Sequence, residues 1–187
     1  RGLATSHAIG CRIEVVTGGP LGVMEGGYVT ALRTGAVSGA ATDLMARSNS
    51  SVVTVIGAGV QGVTQAAAVC AVRPIEKIIA VDTRPEQLER YREMIDGDWP
   101  ELGPLLVTTT DVSSAVAQAD IICTSTTARA PVFDDADLKP GTHINAGGAV
   151  TPGVQEIPPA TVVRARIVID NLDAILAGAG DLLKPLN

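Results

Sequence analysis

From residue 52 onward the chain alternates short apolar runs with segments of helical periodicity. Apolar runs of about four or five residues that are rich in Val and Ile predict buried strands, and apolar residues three or four positions apart predict helices. The predicted strands are 52–56, 77–81, 105–108, 121–124, 143–146 and 167–169, and the predicted helices are 62–72, 85–95 and 112–118. Strands and helices that alternate in this way predict an α/β fold with a doubly wound, mostly parallel sheet.

The first 28 residues follow another pattern. Apolar stretches at 11–16 and 21–24 flank the turn-forming sequence at 17–20, which predicts a hairpin. Because an isolated two-stranded sheet is marginally stable, we expect these strands to belong to a larger sheet whose earlier strands lie outside the sequence. The chain also begins at Arg1 rather than Met, and we interpret it as a fragment of a longer protein.

The segment 28–47 predicts one amphipathic helix. Gly35 and Gly39 lie on or near its apolar face, where small residues permit the close approach of another backbone. The apolar residues that recur at helical spacing are Val29, Leu32, Ala36, Val37, Ala40, Ala41, Leu44 and Met45. We therefore expect a linking helix over 29–48, between an N-terminal remnant over 1–28 and a sheet domain over 49–172, with a C-terminal segment over 173–187.

Composition narrows the class of protein. A length of 187 residues allows one complete domain, or one domain plus part of another. The hydrophobic content of 46% with 18% charged residues is typical of a folded protein. Aromatic residues are only 2%, so the core must consist of Val, Ile, Leu and Ala, as in covered parallel strands. The net charge of −6, without a run of Lys and Arg, argues against a nucleic-acid partner.

Location and metal content are also constrained. Cys11, Cys70 and Cys123 are scattered, without the paired spacing of a zinc site or a disulfide framework, so we expect no metal. No apolar run approaches the roughly 18 residues of a membrane span, and the N-terminus lacks the layout of a secretory signal. We expect a cytoplasmic protein with no membrane partner.

The sequence Gly57-Ala58-Gly59-Val60-Gln61-Gly62 follows the strand at 52–56 and opens the next helix. In this G-x-G-x-x-G fingerprint, Gly57 allows the tight turn, Gly59 lets the backbone approach a pyrophosphate, and Gly62 permits close packing of helix on strand. The start of the helix, with Val60 and Gln61, then offers free amides and a partial positive charge to the phosphates. The motif predicts a dinucleotide site in a Rossmann-type fold.

Asp82 ends the second strand of this unit, where a carboxylate can accept hydrogen bonds from both ribose hydroxyls of the adenosine. A carboxylate there would repel a 2′-phosphate, so we expect NAD as the cofactor. Thr83 and Arg84 follow in the same loop, and Arg84 could turn to a 2′-phosphate, which keeps NADP possible. The alternatives are a ligand-free turn with Asp82 capping the next helix, and S-adenosylmethionine, which the third glycine disfavours.

Hydroxyl residues follow the strand at 121–124. Thr124, Ser125 and Thr126 are expected to face the cofactor at the carboxyl edge of the sheet, where open α/β folds bind ligands. The alternative for each is an ordinary loop hydroxyl that caps a turn. Gly147, after the strand at 143–146, is a further candidate cofactor contact. His143 has apolar neighbours and is interpreted as structural, and His7 has no recognisable partner.

Five segments together resemble the ornithine cyclodeaminase/mu-crystallin family. They occur in the family's order and spread over most of the chain, at 30–36, 56–61, 71–75, 119–124 and 139–146. The resemblance implies a Rossmann domain inserted into an N-terminal α+β domain for substrate binding and dimerisation. Residues 1–28 would then be a remnant of that truncated domain, 173–187 would return towards it, and the parent protein would be a homodimer.

The resemblance also implies a reaction and a substrate contact. The reaction is NAD(P)-dependent hydride transfer at the α-carbon of an amino acid or imino acid. Arg33 would hold the substrate carboxylate, which suits the bidentate geometry of a guanidinium group. Arg33 lies close to the apolar face that contains Leu32 and Val37, where an unpaired charge would be costly. The alternative is an arginine paired on the helix surface.

Two departures from the family pattern affect the function. Val150 stands where cyclodeaminases have an aspartate, and a valine is neither acid nor base, which favours ketimine reductase or alanine dehydrogenase chemistry over the lyase reaction of ornithine cyclodeaminase. The family's N-terminal region, which carries a lysine near the reacting carbon, lies outside the sequence, so we expect this fragment to be inactive. The alternative function is a non-catalytic NAD(P)H-binding protein of mu-crystallin type, which Val150 favours and Arg33 disfavours.

Overall fold

The computed structural model describes residues 8–149 and 151–186. Strands and helices alternate over most of this length, in agreement with the predicted α/β fold. The strands are β1 (Ile9–Ile13), β2 (Pro20–Glu25), β3 (Val52–Ile56), β4 (Lys77–Val81), β5 (Leu106–Thr109), β6 (Ile121–Thr124) and β7 (His143–Ala146). The helices are α1 (Gly26–Met45), α2 (Val60–Val72), α3 (Pro85–Asp98), α4 (Val112–Gln118), α5 (Pro159–Arg164), α6 (Leu172–Gly178) and α7 (Gly180–Leu186).

Five strands form one parallel sheet in the order β5-β4-β3-β6-β7. The chain adds strands to one side of β3 and then returns to add β6 and β7 on the other side. Ile56 at the end of β3 pairs with Thr124 at the end of β6, so the loops after these two strands are neighbours. This reversal is the topological switch point, where open α/β sheets bind ligands. The predicted doubly wound sheet is confirmed.

Both faces of the sheet are covered because successive side chains on a strand point to opposite sides. On one face, Val53 and Val55 of β3 are fully buried with residues of α2 and α3. On the other face, Ile56 and Ile122 are buried with residues of α4 and α5. Burial on both sides explains why these strands are continuous apolar runs rather than alternating patterns.

The element boundaries largely agree with the predicted ones. Four strands of the parallel sheet and α4 begin and end at the predicted residues. The other predicted helices, β5 and the two hairpin strands differ from the prediction by one to three residues at one or both ends. The strand predicted at 167–169 is wrong, since Ile167, Val168 and Ile169 are exposed and lie in irregular chain. A strand needs a neighbour for its backbone groups, and the five-stranded sheet ends at β7.

The predicted hairpin is confirmed as β1 and β2, which pair antiparallel in a two-stranded sheet of their own within the described residues. Its large side chains are exposed, Ile9 and Val23 among them. The helix α1 follows directly, begun by Glu25, whose carboxylate accepts hydrogen bonds from the amides of Gly27 and Tyr28. Within 8–149 and 151–186 no helix has the length and hydrophobicity needed to cross a membrane.

Small residues join α1 to α2. A Cβ atom on Gly35 would lie 2.5 Å from the carbonyl oxygen of Thr64, and one on Gly39 would lie 3.0 Å from the Cβ of Ala68. The Thr64 hydroxyl donates to the carbonyl of Ala31 at 2.8 Å. The predicted close approach of a second backbone at these glycines is confirmed, and the second backbone is α2.

The predicted apolar face of α1, by contrast, is exposed in this chain. The large residues on it that are exposed are Val29, Leu32, Val37, Leu44 and Met45. The predicted helix is confirmed, but Gly35 and Gly39 lie on its buried face, opposite Val37 and Leu44, and not on the predicted apolar face. Large side chains would hold the two helix axes apart, whereas the glycines allow direct backbone contact.

Arg73, in the family-like segment at 71–75, fixes the end of α1. Its buried guanidinium donates to the carbonyl oxygens of Thr42, Asp43 and Ala46, and its Nε donates to that of Arg47. The last carbonyls of a helix have no partner within the helix, and these bonds satisfy them. Arg73 therefore ties α1 to the sheet domain.

Candidate functional site

The turn after β3 depends on Gly57. Its φ of +98° is a backbone conformation that residues other than glycine rarely adopt. A Cβ atom there would also lie 2.6 Å from the carbonyl oxygen of Ser125, in the loop after β6. The Gly57 amide donates to the carbonyl of Val81 at the end of β4. The turn is thus fixed against the ends of both neighbouring strands.

Gly62 holds the first turn of α2 close to the sheet. A Cβ atom there would lie 2.6 Å from the carbonyl oxygen of Gly57 and 2.8 Å from Cγ1 of Val55. This geometry is the close packing of helix on strand that the sequence motif predicts.

Two side chains of α3 support the same turn and were missed by the sequence prediction. Gln87 donates from Nε2 to the carbonyl of Ala58 at 2.6 Å, and the buried Tyr91 hydroxyl donates to the carbonyl of Gly62 at 3.1 Å. They are four residues apart and therefore lie on one face of α3. Their spacing is the sequence signal that could have indicated this role.

Gly59 differs from the other two glycines of the motif. Its φ of −99° is ordinary, and a Cβ atom there would meet nothing within 4 Å, so packing within the chain does not require a glycine. Gly59 is the N-cap of α2 and has no side chain to cap the amides of Val60, Gln61 and Gly62. Those amides lack carbonyl partners one turn earlier. The missing side chain keeps the approach to them clear, which fits a pyrophosphate group.

Asp82 lies beside this turn, at the end of β4. Its Oδ2 accepts from the amide of Ala58 at 3.2 Å, and its Oδ1 accepts from the amide of Arg84 at 3.1 Å. Each carboxylate oxygen can accept a further bond, so the group can still receive ribose hydroxyls. The exposed Arg84 side chain lies 3.5 Å from Oδ1, and such a surface pair is weak. Thr83 between them is exposed.

The three hydroxyl residues after β6 have different surroundings. The Thr124 hydroxyl is buried and donates to Glu156 at 2.8 Å, so it does not face a cofactor as expected. The Thr126 hydroxyl accepts from the amide of Ala128 at 3.1 Å. The Ser125 hydroxyl is buried and has no partner among the described residues. A buried polar group without a partner is costly, so of these three hydroxyls that of Ser125 is the one still open to a further hydrogen bond.

Glu156 was missed by the sequence prediction. Its carboxylate is 0% exposed and accepts from the Thr124 hydroxyl, the Thr126 amide and the Gly148 amide. The sequence offers one weak signal, a carboxylate followed by Ile157 and two prolines, where an exposed acidic residue is not expected.

Gly147 follows β7 and lies at the same edge. Its amide donates to the carbonyl of Thr124 at 2.9 Å, and a Cβ atom there would lie 2.9 Å from Nε2 of Gln65. Gln65 belongs to α2, and its buried Oε1 has no partner among the described residues. The structure therefore brings Gly147 to the glycine-rich helix and the β6 loop, with a second unpaired polar atom beside it.

His143 and Asn145 connect β7 to α1. His143 Nε2 lies 3.1 Å from Oδ1 of Asn145, whose Nδ2 donates to the hydroxyl of Thr42 at 3.0 Å. Burial lowers the pKa of His143, the charge of Arg73 lowers it further, and the bond with Asn145 opposes the shift. These contacts support the structural interpretation of His143.

Arg33 lies apart from the glycine-rich turn. It is two positions before Gly35, about 200° around the helix, so it belongs to the exposed face of α1. The argument that its charge would be costly against an apolar face is wrong for this chain, because Arg33 is exposed. The alternative of a surface ion pair is also wrong, because the described residues give Arg33 no acidic partner.

Val150 and His7 lie outside the described residues. The described part of the chain holds no group of His, Cys, Asp and Glu arranged for a metal ion.

Comparisons with known proteins agree with this geometry. A family model described as "Ornithine cyclodeaminase/mu-crystallin family" matches residues 1–184. A Delta(1)-pyrroline-2-carboxylate reductase of Bacillus thuringiensis subsp. konkukian is 38% identical over 186 residues, which are 99% of this chain and 56% of that protein. An alanine dehydrogenase of Archaeoglobus fulgidus is 35% identical over 173 residues, 92% of this chain and 52% of that protein.

Among solved structures, the chain is similar to Thermococcus litoralis Delta(1)-pyrroline-2-carboxylate reductase in complex with NADH and L-proline. The TM-score is 0.89 at 38% identity, over 96% of this chain and 55% of that one. The chain thus spans about half the length of the relatives it matches.

Proposed function

The chain belongs to the ornithine cyclodeaminase/mu-crystallin family, and on that premise we propose that it is the NAD-binding part of an oxidoreductase. The enzyme would act at the α-carbon of an amino acid or cyclic imino acid. The observation that carries the cofactor assignment is Gly59, a glycine that the packing of the chain does not require, at the uncapped start of α2. Support comes from the relative of 38% identity that was solved with NADH.

The residues at the switch point would share the binding of the dinucleotide. The amides of Val60, Gln61 and Gly62 would receive the pyrophosphate, and Asp82 would accept from the adenosine ribose. Thr83 and Arg84 border the ribose position. Ser125, with its unpaired hydroxyl, would lie towards the nicotinamide. Thr124 and Thr126 would flank it in the same loop, and Gly147 would lie beside them, since its amide donates to the Thr124 carbonyl. NAD is favoured over NADP because Asp82 is fixed at the end of β4.

The chemistry requires few groups from this chain. When bound, a reduced nicotinamide would supply hydride to the α-carbon of an imine, with a proton completing the amine. Arg33 would hold the substrate carboxylate by a bidentate contact, which fixes the face of the α-carbon that is presented. Its exposure on α1 is compatible with that role if substrate and further protein surface lie against the helix.

Of the reactions found in this family, we prefer imine reduction to cyclodeamination for the enzyme that contains this chain. Val150 has no proton to give or take, whereas loss of ammonia needs an acid or base near the substrate amine. The reductases of 38% identity point the same way. We therefore favour a cyclic imino acid, of the Δ1-pyrroline-2-carboxylate class, as substrate, with alanine dehydrogenase-like chemistry next.

We propose the domain assignment on the same basis. Residues 1–28 would be part of a substrate and dimerisation domain, 29–48 a linking helix, 49–172 the NAD-binding domain, and 173–187 a segment that returns to the first domain. The exposed apolar residues of the hairpin and of α1 support this, because such a surface is usually covered in the whole protein. A homodimeric parent belongs to the same proposal.

The test is a titration of the chain with NADH and, separately, NADPH, followed by nicotinamide fluorescence. NADH should bind more tightly than NADPH. Gly59→Ala should weaken both cofactors by at least about tenfold, since a methyl group would stand over the amides that meet the pyrophosphate. Asp82→Ala should weaken NADH selectively and reduce the preference over NADPH.

The matched control is Gly97→Ala in α3, where a Cβ atom also meets nothing within 4 Å. It should leave the affinity unchanged. Gly59→Ala that melts like wild type and binds NADH equally well would contradict the assignment of the pyrophosphate site. Turnover of Δ1-pyrroline-2-carboxylate by the longer protein that contains this chain distinguishes a reductase from a non-catalytic NAD(P)H-binding protein of mu-crystallin type.

A further inference from the structure

The segment between β7 and α5 contains a buried carboxylate that joins two loops. Glu156 Oε2 accepts from the Thr124 hydroxyl at 2.8 Å and from the Gly148 amide at 2.8 Å, and Oε1 accepts from the Thr126 amide. Thr124 and Thr126 belong to the end of β6 and the loop that follows it, and Gly148 to the loop after β7. One side chain thus connects the two loops at the carboxyl edge of the sheet.

The donors around this carboxylate are neutral. Among the ion pairs of the described residues none involves Glu156, so a fully buried side chain depends on two amides and one hydroxyl. Burying a carboxylate is costly unless it is hydrogen-bonded, and bonds to an ionised acceptor are stronger than neutral ones. Any movement of the loops that breaks these hydrogen bonds would leave a buried carboxylate without donors, so the bonds stabilise the present arrangement of both loops.

The backbone of Glu156 is itself held by α7. Oδ1 of the buried Asp181 accepts from the Glu156 amide at 2.6 Å and from the Ile157 amide at 2.9 Å. The Glu156 carbonyl accepts from the amide of Val132 at 2.9 Å. Burial raises the pKa of Asp181, and the two amides oppose the shift. A connected set of bonds thus runs from α7 through Asp181 and Glu156 to both loops.

These loops touch the glycine-rich unit. The Ser125 carbonyl lies against Gly57, and Gly147 lies against Gln65 of α2. Ser125 stands between two residues that Glu156 holds, so a shift of the carboxylate would move Ser125 relative to the turn.

We propose that Glu156 is a positioning residue, which sets the loops after β6 and β7 against the glycine-rich turn, and that Asp181 holds Glu156 in place. The proposal rests on the proposed function, because the two loops and the glycine-rich turn would together form the surface that binds the dinucleotide. Glu156 acts through the loops and does not itself touch the reacting atoms.

The first variant is Glu156→Gln, which keeps the size of the side chain. Whichever way the amide is turned, its NH2 group faces a backbone N–H, either that of Thr126 or that of Gly148. One of these amides should exchange with solvent about tenfold faster, as expected for the loss of one such bond. NADH affinity should fall by about tenfold, while the amides of β4 keep their exchange rates. Glu76→Gln, an exposed residue just before β4 at the opposite edge, is the control and should change neither.

A second pair of variants covers the case in which Glu156→Gln does not fold. The carbonyl oxygen of an asparagine can accept both bonds now made by Oδ1, so Asp181→Asn should bind NADH like wild type. Asp181→Ala leaves the Glu156 and Ile157 amides without an acceptor and should bind NADH about tenfold more weakly.

Each outcome decides between the two proposals. Failure of the wild-type chain to bind NADH would overturn the proposed function. Amide exchange is measured without cofactor, so it still tests whether Glu156 holds the loops in that case. Wild-type binding together with unchanged affinity in Glu156→Gln or Asp181→Ala would overturn the positioning role. Faster exchange at Thr126 or Gly148 with weaker NADH binding in the same variant would support it.

Discussion

The two faces of α1 have opposite compositions and opposite surroundings. The face towards α2 is made of small and polar residues and is buried: Ala31, Gly35, Ser38, Gly39 and Thr42. The other face carries Val37 and Leu44 and is exposed, with Leu44 at 86%. Hydrophobicity alone would predict the opposite: that the face with Val37 and Leu44 is buried and that the face with the glycines is exposed.

The difference separates two kinds of information in one helix. Small residues mark where a helix contacts another backbone, and here the contact is made within the chain by α2. A large apolar face marks surface that is covered somewhere in the whole protein. The relatives are about twice as long as the matched region, which agrees with our proposal that further protein lies on this face.

The largest expected effect is at the close contact on the buried face. Gly35→Ala places a Cβ atom 2.5 Å from the Thr64 carbonyl oxygen, and the backbone on both sides must move to relieve the overlap. We expect the free energy of unfolding to fall by at least about 2 kcal/mol, although alanine favours a helix intrinsically. Urea unfolding measures the change.

Gly97→Ala in α3 is the matched control for helix propensity, since its Cβ would meet nothing within 4 Å. It should leave stability unchanged or raise it by up to about 1 kcal/mol. Equal stability of Gly35→Ala and Gly97→Ala would show that α1 and α2 are not in direct backbone contact.

A smaller loss is expected at Thr42. Thr42→Val keeps the shape of the side chain but leaves Nδ2 of Asn145 without the hydroxyl that now accepts from it at 3.0 Å. Because both groups are buried, we expect a loss of about 1–2 kcal/mol in urea unfolding, even though the new residue is more hydrophobic. A gain in stability would mean that apolar burial outweighs the bond. Asn145→Ala in the same background then tests whether the two losses are coupled.

The sheet could be predicted from the sequence because its strands are buried on both faces. Runs such as Val52–Ile56 have only one interpretation next to a glycine motif and a helix. The segment at 167–169 has the same composition but no strand beside it, and such a neighbour is a tertiary property that a short apolar run does not contain. The helices α5, α6 and α7 are short, at six or seven residues, too few to show periodicity.

The candidate site was predictable where local geometry demands a residue type. Gly57 and Gly62 are required by the turn itself, and Asp82 follows from its place at the end of β4. Glu156 and Gln87 were not predictable, because each reaches a partner about 30 residues away in sequence through a fold that must form first. The Thr124 hydroxyl was assigned to the cofactor for the same reason, since its acceptor was unknown.

The smallest effect is expected on the exposed face of α1, and it is the sharpest test of the comparison. Leu44→Ser removes a large apolar side chain from a helix, a change that costs about 2–5 kcal/mol in a core. At 86% exposure it should change the unfolding free energy of this chain by no more than about 0.5 kcal/mol. A loss above about 1 kcal/mol that grows with protein concentration would mean that two copies already cover the face. The same substitution in the longer protein should cost more than it does here, because the proposed covering domain would then lose its contact with Leu44.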